Sequence, residues 1–225
     1  MRASWLFMKH GKKILIAVVA IILALAFVWT RVQAAESPTV RVLAFGDSLT
    51  AGYGLDPGEA YPALLESIAR DEGFHLSVRN AGLSGETTAG GLRRLGWVLR
   101  QPVDVLILAL GANDALRGQD PEAAEKNLRG MIQQARDAHP DVTILLAGML
   151  APPNLGADYR KAFDGIFPRI AEEEGVLLVP FLLEGVAGDA SLNLADGIHP
   201  NREGQRIIAR TVWVELRRAL EDSAG

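Results

Sequence analysis

Five short apolar runs, at residues 40–45, 76–79, 103–110, 142–147 and 176–179, alternate with longer stretches of helical periodicity, and this alternation limits the fold more than any other feature. The helical stretches fall at 61–71, 87–99, 121–138, 159–174 and 203–220. The third is framed by Asp120 as N-cap, Pro121 at the first helical position and His139-Pro140 at its end. Strands that alternate with helices predict right-handed βαβ units around one parallel sheet. The expectation is an α/β, three-layer, flavodoxin-like fold with a five-stranded parallel sheet. At 225 residues and 49% hydrophobic content the chain can bury one sizeable core, and no internal repeat or second domain is visible.

The first 34 residues differ in composition from the rest. Arg2, Lys9, Lys12, Lys13 and Arg31 bring five positive charges and no acid, and between them runs an apolar stretch, residues 14–29. A basic region, an apolar region and a small-residue site at Val32-Gln33-Ala34 form the layout of a secretory signal. The apolar stretch falls short of the roughly 20 residues a spanning helix prefers, and an uncleaved N-terminal membrane anchor is the alternative. Residues 1–34 are therefore read as signal peptide or anchor and residues 38–225 as the folded domain. The protein is expected in the periplasm or secreted, or else held at the inner membrane through residues 14–29 with its domain outside the cytoplasm. With no cysteine in the chain, neither lipidation of a cysteine nor a disulfide enters the argument. Without the five basic residues of that segment, 18 of the 23 basic side chains remain against 27 acidic ones, a net charge of −9. Such a balance argues against nucleic acid as a partner. The pairs Arg93-Arg94 and Arg217-Arg218 read as solvated helix faces.

Four blocks at strand ends carry chemistry. The first strand runs into Phe45-Gly46-Asp47-Ser48-Leu49-Thr50-Ala51-Gly52-Tyr53-Gly54, which sets a serine at a strand tip with little bulk around it. Ligands of parallel sheets sit outside those carboxyl ends. The second block is Asn80-Ala81-Gly82-Leu83-Ser84-Gly85-Glu86-Thr87-Thr88, the third Gly111-Ala112-Asn113-Asp114, the fourth Asp196-Gly197-Ile198-His199-Pro200-Asn201. In these blocks and their order, from about Val40 to about Leu216, the chain resembles the SGNH hydrolase superfamily, also called GDSL esterases. Within it, the match is to the periplasmic thioesterase/lysophospholipase L1 and arylesterase branch. The resemblance implies the SGNH hydrolase fold and serine hydrolase activity, without metal or cofactor.

Acyl transfer needs a base beside the serine, and histidine suits that task. Of the three histidines beyond the first segment, His75 opens a strand and His139 closes a helix, both structural placements. His199 has Asp196 three residues earlier, a spacing that can set the carboxylate against one ring nitrogen and leave the other for Ser48. The catalytic residues are thus Ser48, Asp196 and His199. A zinc site at Asp196 and His199 lacks a third ligand. For the oxyanion hole the resemblance implies the backbone N–H groups of Ser48 and Gly85 and the side-chain amide of Asn113, with Gly82 as competitor to Gly85. Asp47 and Asp114 are read as groups that hold these loops.

Two apolar loops, 148–156 and 180–186, suggest a cleft for an acyl chain or aryl ester, with Met149, Leu150, Pro152, Leu155 and Phe181 as substrate contacts. The expected partner is a small-molecule or lipid-like acyl ester. The expected function is a secreted serine esterase acting on acyl esters or thioesters through an acyl-enzyme on Ser48. A carbohydrate or peptidoglycan O-acetylesterase and a non-catalytic envelope-binding module are the other classes considered.

Overall fold

In the computed structural model, which describes residues 39–222, strand β1 (Val40–Gly46) is buried on both sides from Val42 onward, as a central strand of a parallel sheet must be. The proposed signal or anchor, residues 1–34, lies outside the described residues. Strands β2 (Leu76–Gly82), β3 (Val105–Ala109), β4 (Thr143–Ala147) and β5 (Leu177–Val179) complete one sheet in the order β2-β1-β3-β4-β5. Every neighbouring pair is parallel. This is the expected flavodoxin-like order. The chain steps one way from β1 to β2 and the other way to β3, so a crevice opens past the ends of β1 and β3. Gly46 is level with Gly82 on one side and with Ala109 on the other.

Two short helices, α1 (Ser48–Ala51) and α4 (Ala112–Leu116), follow β1 and β3 directly. The longer ones are α2 (Tyr61–Asp71), α3 (Thr88–Val98), α5 (Pro121–Ala138), α6 (Ala157–Asp164), α7 (Ile166–Glu174) and α8 (Arg202–Asp222). Helices α2 and α8 pack together on one face of the sheet, and α3, α5 and α7 cover the other. The core cluster of buried apolar residues runs from Val42 to Leu220, so the described residues hold a core of their own.

Three expectations need correction. The helix expected at 159–174 is two helices that meet at Gly165. Pro168 lacks an N–H, and in an unbroken helix its ring would strike the Asp164 carbonyl. Strand β2 continues past 79 through Asn80-Ala81-Gly82, because these polar and small residues still pair with Ala44-Phe45-Gly46. The segments directly after β1 and β3, left outside the expected helical stretches, are the helical turns α1 and α4.

Main chain crosses main chain above the strand ends. A Cβ on Gly46 would stand 2.1 Å from Thr50 Oγ1 and 2.7 Å from the Ala109 carbonyl oxygen; on Gly82 it would meet the Ala51 nitrogen at 2.2 Å. Only glycine lets α1 settle onto β1 and β2 in this way.

Candidate active site

Ser48 is the first residue of α1, with Asp47 as its N-cap, and Asp47 Oδ1 accepts the Leu49 N–H at 3.0 Å. The N–H of a first helical residue has no acceptor within the helix, so that of Ser48 is free to serve another group. At the far end of the chain, the loop before α8 is closed by an antiparallel bridge between Asn193 and Pro200 and by Leu194 N–H donating to the His199 carbonyl at 2.7 Å. Within it, Asp196 Oδ1 accepts the N–H groups of Ile198 and His199 at 2.9 and 3.0 Å. Its Oδ2 lies 2.7 Å from His199 Nδ1, and His199 Nε2 lies 3.0 Å from Ser48 Oγ.

These contacts assign the proton. The His199 N–H, its ring and the Ile198 N–H hold the Asp196 carboxyl down at about 2, so it is ionised and can only accept. Nδ1 is then the nitrogen that donates to Asp196, and Nε2 is the one that faces the serine hydroxyl. The structure thus brings Ser48, His199 and Asp196 into one hydrogen-bonded line. His139 closes α5 and contacts the Leu99 carbonyl at 2.9 Å through Nε2 instead, and His75 precedes β2 with its carbonyl accepting from Val40 N–H. Neither lines the crevice.

Two residues that sequence reasoning passed over hold this line in place. The Tyr53 ring packs 4.4 Å from the His199 ring, tilted by 35°. Gln205, on α8 and 1% exposed, accepts the Tyr61 N–H at 2.8 Å and donates to the Leu49 carbonyl at 3.1 Å. It therefore fastens the helix behind His199 to the turn that carries Ser48. Tyr53 stands inside the first block, five residues past the serine, and that proximity was its signal; Gln205 gave none.

Asn113 is the second residue of α4, and its Nδ2 donates to Asp47 Oδ2 at 3.2 Å. One hydrogen of that amide is thereby committed, and the plane of the group is fixed. Asp47 is fully buried, and burial pushes its carboxyl up to about 6 against the lowering pull of the Leu49 and Asn113 donors. Asp114 accepts both the N–H and the hydroxyl of Thr88, at 2.8 and 2.6 Å, which ties α4 to the start of α3. Both aspartates hold loops, as expected. Gly85 adopts φ +79° with its carbonyl held by Arg117 at 2.9 Å, and it lines the crevice; Gly82 lies under the Ala51 main chain and does not.

The crevice is a cleft of about 640 Å³ bounded by Ser48, Gly85, Asn113 and His199. Met149, Leu150, Pro152 and Phe181 line it, although Met149 is buried and offers little surface. Leu155 is not among its lining residues; it ends the 3₁₀ turn Pro153–Leu155, closed by its N–H on the Pro152 carbonyl. Leu116, Leu183 and Ile198 complete the apolar wall, and among the described residues no carboxylate lines it.

Asp47 makes a stability prediction. Its folded value near 6 exceeds the ordinary 3.8, so its ionisation opposes folding: the penalty is absent below pH 3.8, grows up to pH 6 and is complete above. About two pH units correspond to roughly 3 kcal/mol. In urea unfolding, Asp47→Asn should gain about that much on the wild type between pH 4 and pH 8; a constant difference across the window would contradict the assignment.

Residues 44–207 match the model of the GDSL-like lipase/acylhydrolase family, and the chain belongs to that family. It is accordingly a carboxylic ester hydrolase with the SGNH fold, and its relatives carry names of that chemistry. It is 41% identical over 189 residues to Esterase TesA of Pseudomonas aeruginosa, covering 84% of this chain and 92% of the relative. To the Arylesterase of Vibrio mimicus it is 38% identical, covering 82% and 92%. Thioesterase 1/protease 1/lysophospholipase L1 of Escherichia coli is 40% identical over 79% of this chain and 82% of its own length. A crystal structure of TesA superposes with a TM-score of 0.75 at 40% identity, covering 79% of this chain and 98% of the solved one.

Proposed function

We propose that the protein is a secreted serine esterase that cleaves acyl esters or thioesters through an acyl-enzyme on Ser48. The observation that carries this reading is the line from Asp196 through His199 to Ser48, at 2.7 and 3.0 Å, ending at an apolar cleft. Ser48 Oγ attacks the carbonyl carbon while its proton passes to His199 Nε2, and the ionised Asp196 stabilises the imidazolium that forms. The carbonyl oxygen takes the negative charge and accepts from the Ser48 N–H, the Gly85 N–H and the second hydrogen of the Asn113 amide. The C–O or C–S bond then breaks, and the leaving alcohol or thiol takes the proton from His199. Water repeats the sequence in reverse and frees the acid. Met149, Leu150, Pro152 and Phe181 contact the acyl chain, an environment in which hydrocarbon gains by leaving water.

A series of p-nitrophenyl esters and acyl-CoA thioesters of increasing chain length tests this. Turnover that persists to C8 and beyond is expected. Activity confined to acetylated glycans would instead select an O-acetylesterase.

For location, the basic, apolar and small-residue layout of residues 1–34 supports export with cleavage near Ala34. Among the described residues no helix is long and apolar enough to cross a membrane. N-terminal sequencing of the exported protein should begin near Ala35; recovery of the intact chain in the membrane fraction would favour the anchor.

A further inference from the structure

Residues 76–103 take almost no part in the proposed chemistry, yet their charge runs against that of the rest of the domain. From 39 to 225 the chain carries 18 basic and 26 acidic side chains, a net −8; residues 76–103 hold Arg79, Arg93, Arg94 and Arg100 against Glu86 alone, a net +3. Glu86 is buried and paired with Arg94, so the surface of this stretch is cationic. Elsewhere Arg41, Arg129, Arg169 and Arg217 each hold a carboxylate. Arg93 and Arg100 are exposed, and neither forms an ion pair among the described residues. Between them on the chain stands Trp97, 68% exposed.

Their spacing of four and three residues sets Arg93, Trp97 and Arg100 on one side of α3 and its C-terminal end, away from the buried Gly91, Leu95 and Val98. A groove between Trp97, Arg100 and Arg94 reaches Leu83, which is 50% exposed; a second groove runs from Leu83 past Arg93 to Ser84 and Gly85, which also line the catalytic cleft. The cationic face is therefore continuous with the cleft mouth.

A small soluble anion would use the guanidinium groups and leave the indole in water. A bilayer interface uses both, with phosphates for the arginines and the headgroup boundary for the indole ring. The lipid must also be anionic, because the rest of the domain sums to −11 and would be repelled unless the docking face carried the opposite sign. We propose that the outer side of α3, with Leu83, docks the enzyme on an anionic phospholipid surface with the cleft opening beside it. Docking rests on the esterase reading only for its use, the supply of lipid-derived acyl esters; the binding itself does not depend on Ser48.

The test uses the chain from residue 35, which contains the whole described core cluster from Val42 to Leu220 and whose solved relative consists to 98% of the matched region. Trp97 and the buried Trp213 are its only tryptophans. Vesicles of phosphatidylglycerol should sediment it and shift its tryptophan emission to the blue, vesicles of phosphatidylcholine should do neither, and salt should weaken binding. R93Q/R100Q should lower partitioning about twenty-five-fold, at roughly fivefold per arginine, and W97S should abolish the shift. Both variants should hydrolyse soluble p-nitrophenyl acetate at the wild-type rate. Equal binding to the two lipids, variants that bind as the wild type does, or a wild-type dimer that W97S dissociates would each overturn the proposal. Vesicle binding without p-nitrophenyl acetate hydrolysis would sink the esterase mechanism and leave docking standing.

Discussion

Replacing Ser48 by alanine should lower kcat by about 10⁶-fold, equivalent to roughly 8 kcal/mol of transition-state stabilisation. The fold should survive, because the Ser48 hydroxyl bonds to His199 and lies at the cleft rather than in the core. His199→Ala should cost about as much, and the double variant no more than either, since the two act as a unit. A phosphonate inhibitor should label Ser48 stoichiometrically in the wild type. Label at Ser84 or Ser191, or single losses that multiply in the double variant, would refute the proposed nucleophile and base.

The second large effect is expected at Asn113. If its amide meets charge that develops only in the transition state, Asn113→Ala should lower kcat by about 10²–10³-fold, or roughly 2.7–4 kcal/mol, with little change in KM. Stability will not be untouched. The same amide donates to the buried Asp47, so its loss pushes that carboxyl further up, and the variant should melt earlier above pH 6 than below pH 4. The two effects separate by temperature: the kcat deficit should persist in the cold, where the variant is fully folded. Near-normal kcat under those conditions would leave Ser48 and Gly85 as the only oxyanion donors.

Much of the sheet was readable because β1, β3 and β4 are apolar runs buried on both sides. The end of β2 was not, since Asn80-Ala81-Gly82 has no apolar pattern and is held in the sheet by its neighbour. Helices α1 and α4 are too short for any periodicity to show. At the site, Asp196 and His199 were readable because their contact is local, three residues along one loop. The Asp47–Asn113 bond spans 66 residues and the Gln205 contacts span 144 and 156; such pairs exist only once the sheet has brought its loops together. Leu155 went the other way: apolar and in the right loop, it sits in a 3₁₀ turn and outside the cleft lining, and composition alone does not announce such a turn.

The glycines that close β1 and β2 bear on how this enzyme can diversify. With the Thr50 side chain lying directly on Gly46 and the Ala51 main chain on Gly82, neither glycine leaves room for a side chain of its own. Any residue larger than glycine at those two points would lift α1 and carry Ser48 out of reach of His199. New preferences must instead be written on the wall, by the side chains of Leu116, Leu150, Leu183 and Ile198; of these residues only Ile198 touches the hydrogen-bonded line, through its main-chain N–H on Asp196. Directed libraries confined to those four positions should change which esters are accepted while leaving the rate on a minimal acetate ester nearly constant.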